Sequence, residues 1–145
     1  MSIVDDLLAN PGLYIGIDDA VARNTKGAAR IVVTPLPGGA SVSLDYEIFN
    51  PAHVDQVRGH VEHTIVGRTH AGDTVMVISD PHARSLQILR ETKPGVFEVA
   101  DVPSPYPMKV ELSMPEPGKL RHVWCYGSPG DEPIARDITE AVRAD

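Results

Sequence analysis

Through the middle of this chain apolar and polar residues alternate rather than recurring every three to four positions. Val42, Leu44, Tyr46 and Ile48 fall on one side of an extended segment, and Ser41, Ser43, Asp45 and Glu47 on the other. That two-residue period is the pattern of a half-buried strand. Similar short runs rich in Val, Ile, Thr and aromatics fall near 13-18, 28-34, 39-49, 57-69, 73-79, 84-91, 95-101, 107-113 and 119-127. Turn sequences separate them at Pro37-Gly38-Gly39, Ala71-Gly72-Asp73, Asp80-Pro81-His82, Lys93-Pro94-Gly95 and Pro117-Gly118-Lys119. About nine strands with such tight links predict an antiparallel up-and-down meander. An open meander exposes two edges, so closure into a β-barrel is expected.

Helical signals are confined to the ends. Ser2, Asp5, Leu7 and Leu8 read as a short capped helix stopped by Asn10-Pro11-Gly12. Asp131 and Pro133 followed by Ile134, Ile138, Ala141 and Val142 predict a C-terminal amphipathic helix on the barrel wall. Residues 50-61 fit two readings. They either lead into a strand or form a helix capped by Asn50, with Pro51 in its first turn and Val54, Val57 and Val61 on one stripe. No repeat or linker divides the chain, so 1-145 is read as a single mostly β domain.

A chain of 145 residues with 42% hydrophobic and 23% charged residues has the usage of an ordinary globular domain. Its net charge of -7 and pI near 5.3 disfavour nucleic acid and anionic membranes as partners. Cys125 is the single cysteine and cannot form an internal disulfide, and residues 1-11 lack the basic start and apolar run of a signal peptide. A soluble, cytoplasmic protein is expected, with a homodimer left open.

His60-Val61-Glu62-His63 invites a metal reading. On a strand, residues three apart point to opposite faces, so His60 and His63 cannot share an ion, and no metal is expected. The alternation groups His63 with Val57, Val61 and Ile65, and sets Arg58, His60, Glu62, Thr64 and Arg68 on the polar side. His63 is therefore expected to point inward, as a hydrogen-bonded core residue or as the titratable group of a cavity. Tyr46 is expected beside it. In the last predicted strand Leu120, His122, Trp124 and Tyr126 share one face, a row suited to a core or a pocket lining. Asp45 and Glu47 read as a solvated outer face, and Cys125 as a small buried apolar residue.

A short N-terminal helix, a strand meander and a C-terminal helix together resemble the calycins, the superfamily of lipocalins, fatty-acid-binding proteins and nitrobindin-like barrels. Gly12-Leu13-Tyr14-Ile15-Gly16 is similar to the Gly-x-Trp signature of the first calycin strand, with Tyr14 in place of Trp. The resemblance implies a hollow barrel for a small apolar molecule, with Arg121 as the last-strand arginine packed over Tyr14. It also places residues 19-27 where fatty-acid-binding proteins carry a helical lid, although this segment is much shorter. In nitrobindin-like members a late histidine holds haem iron. His122 is the position to compare, but its neighbours match that pattern poorly, so no cofactor is expected.

The leading expectation is a binding or carrier protein for a small hydrophobic or aromatic ligand, lined by Tyr46, His63, His122, Trp124 and Tyr126. A competing class is a small barrel enzyme, an isomerase or cyclase using His63 or Tyr46 as acid or base. A third is a protein-interaction module without a pocket.

Overall fold

Each strand of the computed structural model pairs antiparallel with the next in sequence, and the last pairs with the first, closing a barrel. Residues 2–49, 60–79, 84–99 and 103–144 are described. After helix α1 (Ile3–Ala9) come β1 (Gly12–Ala20), β2 (Thr25–Pro35), β3 (Ser41–Phe49), β4 (His60–Arg68) and β5 (Thr74–Ser79). The circuit continues through β6 (Leu86–Lys93), β7 (Val96–Val99), β8 (Met108–Glu116), β9 (Lys119–Tyr126) and β10 (Ile134–Arg143).

The expected C-terminal helix is thus a tenth strand. Ile134, Ile138, Ala141 and Val142 sit at helical spacing, but the buried positions are Asp137, Thr139 and Ala141, a period of two. Polar residues occupy most of the inner face, and that hid the strand. Closure depends on this segment, because β10 pairs with β1 on one side and β9 on the other. The approach to β1 is close at Gly16. A Cβ there would lie 1.8 Å from the Glu140 carbonyl oxygen and 2.5 Å from the Ala141 Cα. The second glycine of the Gly12–Gly16 stretch therefore serves barrel closure.

Arg121 does not cover Tyr14 as the resemblance implied. It faces outward, half-buried, with its Nε 3.5 Å from Glu140. Tyr14 is fully buried, and its hydroxyl donates to the Asn10 carbonyl at 2.7 Å, tying the end of α1 to the first strand. Among the described residues no lid-sized helix lies between β1 and β2. The chain turns there through a single 3₁₀ turn, Val21–Arg23, and left-handed Asn24. The alternative helix over 50-61 lies outside the described residues up to 59, and His60 and Val61 open β4.

The two ends of the barrel differ in chemistry. Helix α1 carries the capping box its sequence announces, with Ser2 and Asp5 exchanging hydrogen bonds, and it buries Ile3, Val4 and Leu7. It packs against β2, β3, β4 and β8. Arg68 at the end of β4 reaches Asp5 at 2.9 Å. Below this plug lie Tyr14, Ile31, Val42, Leu44, Val66, Met76, Leu89 and Phe97, all completely shielded from solvent. Each such side chain stabilises the fold by roughly 1.5–3 kcal/mol through burial. Toward the opposite end the inward positions turn polar. Asp18, Glu62, Thr64, Gln87, His122, Asp137 and Thr139 are all buried there.

Candidate functional site

The polar end is built from three strands on one wall and two on the other. On the first wall, register sets Asp18 of β1 beside Thr139 of β10, and Thr139 beside His122 of β9. Thr139 donates its hydroxyl proton to Asp18 at 3.2 Å. On the second wall Tyr46 of β3 stands directly across from Glu62 of β4. Tyr46 spans the interior, and its ring centroid lies 4.6 Å from that of His122. His122 in turn stacks on Trp124 at 6.2 Å with an interplanar angle of 22°. His60 closes the group edge-on to Trp124, also at 6.2 Å.

Of the five residues expected to line a site, Tyr46, His122 and Trp124 come together. Tyr126 is half-buried nearby, edge-on to Tyr106 at 6.1 Å, with the Arg136 guanidinium 5.5 Å from its ring centroid. His63 does not join them. It projects from the outer face, with its side chain 52% exposed and its ring paired with Asp45. The phase of β4 is the reverse of the expected one. Val61 and Ile65 are exposed, while Glu62, Thr64 and Val66 point inward. The expectation assumed that the apolar face of a strand turns inward, and in this half of the barrel the interior is the polar side. His60 and His63 do occupy opposite faces, as strand geometry requires. Asp45 and Glu47 lie outside, where with Tyr46, Val61, Glu62, His63 and Ser79 they border a shallow groove of about 490 Å³.

Glu62, His60 and Thr64 form the best-defined polar contact inside. One Glu62 oxygen meets His60 Nε2 at 3.0 Å, and the other accepts the Thr64 hydroxyl proton at 2.8 Å. The carboxylate is thereby engaged at both oxygens and orients the imidazole. This pairing had one trace in the sequence, the alternation of His60, Glu62 and Thr64. Asp18, Asp137 and Thr139 had none, because their closeness to His122 comes from register between strands far apart in the chain.

Burial dominates the electrostatics. It pushes the His122 pKa from 6.5 down to about 4, with the Glu62 charge opposing, so the ring is neutral near pH 7. Burial, reinforced by the negative charge of Glu62, drives the Tyr46 phenol well above 10 and keeps it protonated. Its hydroxyl is buried and makes no hydrogen bond among the described residues. The Thr139 hydroxyl lies near enough to temper the rise, but without the geometry of a full hydrogen bond to the phenol.

Haem, the cofactor the calycin resemblance would bring to His122, does not fit these surroundings. The ring is enclosed by Tyr46 and Trp124 and lies in the field of Glu62 and Asp137. An iron-ligating histidine instead needs an open, apolar slot beside its nitrogen. Among the described residues no group of three or more His, Cys, Asp or Glu is arranged to hold a metal ion. Cys125 is buried and free, and burial raises its thiol pKa, which makes it a poor nucleophile. No described helix is long and apolar enough to cross a membrane. No protein-family model matches the chain, and no curated protein is significantly similar to it.

Proposed function

We propose that this barrel binds a small, largely apolar aromatic molecule at its polar end, against Tyr46, His122 and Trp124. The observation that carries the reading is the Tyr46 hydroxyl, on a residue only 2% exposed and without a hydrogen-bond partner among the described residues. A buried, unmet hydroxyl costs about 1–3 kcal/mol. Native interiors rarely keep one unless a ligand or water meets it. The surrounding rings offer stacking surface for a flat molecule. The apolar end is fully sealed, whereas Trp124 at 8% and Asp137 at 9% retain contact with solvent, which favours entry from the polar end.

Trp124 is the sole tryptophan, so its fluorescence reports on the site alone. Titration with small neutral aromatics is expected to change its emission saturably and to raise the melting temperature. Unchanged emission and melting with every compound at millimolar concentration would refute the reading.

A second reading, acid–base catalysis on such a ligand, is favoured by the Glu62–His60 pair. A carboxylate that holds an imidazole in a fixed orientation positions it for proton transfer. The role first expected of His63 passes to His60, with Tyr46 as the protonated partner. Turnover lost in Glu62→Gln while binding persists would establish it.

A further inference from the structure

Resting on the binding reading above, we propose that the site selects neutral aromatic ligands carrying one hydrogen-bond acceptor, a carbonyl oxygen or ring nitrogen, which takes the Tyr46 hydroxyl proton, and that it rejects carboxylates. Three observations carry this. First, Tyr46 brings into the interior a hydroxyl that makes no hydrogen bond among the described residues. Buried donors are left unmet less often than acceptors, so the missing partner is an acceptor.

Second, the neighbouring carboxylates Glu62 and Asp18 already receive donors from elsewhere. Both Glu62 oxygens are occupied by His60 and Thr64, and Asp18 accepts from Thr139. None of these contacts includes the Tyr46 phenol. Third, Glu62 lies directly across the β3–β4 pair from Tyr46, where opposed Cβ atoms are roughly 5 Å apart. A ligand carboxylate brought to the phenol would meet that charge in a medium that screens it poorly. Among the described residues no lysine or arginine is buried to offset it. A neutral acceptor incurs no such repulsion, and its aromatic body lies against His122 and Trp124.

Three probes of one size and different polarity separate the possibilities: acetophenone, benzoate and ethylbenzene. Calorimetry at pH 7.5, with Trp124 emission to locate the binding, is expected to rank acetophenone first. Its lead over ethylbenzene is about three- to tenfold, the worth of one hydrogen bond, and benzoate is weakest. Tyr46→Phe should abolish the lead over ethylbenzene. Glu62→Gln should raise benzoate affinity, whereas Glu62→Asp retains the charge and should still reject benzoate. Each variant is checked for native Trp124 emission and cooperative melting. Benzoate binding as tightly as acetophenone, or an acetophenone lead that survives Tyr46→Phe, would overturn the inference and leave the binding reading standing. Failure of all three probes to bind folded wild type would overturn both.

Discussion

Replacing Tyr46 by Phe removes a single oxygen atom, and the sign of the result is diagnostic. Phe retains the ring contact with His122 at 4.6 Å and the packing of a residue only 2% exposed. What disappears is a hydroxyl with no hydrogen-bond partner among the described residues. An unmet buried hydroxyl carries a penalty of about 1–3 kcal/mol. Part of that is recovered when an apolar group of the same shape takes its place, so the unliganded variant is expected to gain about 1 kcal/mol. For a domain of this size that corresponds to a rise of roughly 2–4 °C in melting temperature. Ligand affinity should move the other way, because the variant has lost the group that meets the ligand's acceptor. Melting followed by circular dichroism, with and without acetophenone, measures both. A Phe variant about 1 kcal/mol less stable than wild type would mean that the hydroxyl already has a partner, Thr139 or a bound water, and the reasoning from Tyr46 would fail.

Other perturbations test the surrounding framework. His122 is held neutral in the fold, with its pKa at about 4 against an ordinary 6.5. The unfolded chain therefore binds a proton that the folded chain refuses between those values, and stability falls as pH drops from 6.5 to 4. The full contribution is about 3 kcal/mol. Urea titrations across that range should show this acid limb, and His122→Phe should flatten it. Asp5, held at about 2 by its bonds to Ser2 and Arg68, contributes stability above 3.8 that is lost only as pH falls toward 2. Ser2→Ala should cost about 1 kcal/mol by removing the cap, read as a lower urea midpoint. Gly16→Ala should disrupt the β1–β10 seam and cost about 3 kcal/mol or more in the same titration, since backbone atoms occupy the space a methyl needs. His63→Ala should leave ligand binding unchanged by calorimetry, because that ring lies outside the barrel.

How much of this was legible in the sequence depended on whether a strand's inner face is apolar. The β3 row Val42, Leu44, Tyr46 and Ile48 and the β9 row Leu120, His122 and Trp124 do point inward, and both could be read from alternation alone. In β4 and β10 the rule inverts or blurs. Val61 and Ile65 outside and Glu62 and Thr64 inside reversed the expected phase and sent His63 to the wrong face. Asp137 and Thr139 on the inner face disguised the closing strand as a helix. Both errors have one cause, a barrel half whose interior is polar. The contact of Tyr46 with His122 was legible only as two residues each facing inward. Their meeting depends on ring closure through β10, which local periodicity does not encode.

Two places on the same strands compete for a small aromatic molecule: the polar end of the interior, where it is expected to sit, and the outer β3–β4 groove. Amide and indole chemical-shift mapping by NMR, with acetophenone added to saturation, distinguishes them. Tyr46 and Glu62 border both places. The predicted result is a cluster of shifts at His122, Thr139 and the Trp124 indole, with Asp45, His63 and Ser79 unmoved. Shifts confined to those outer residues, or no shifts at all, would contradict it.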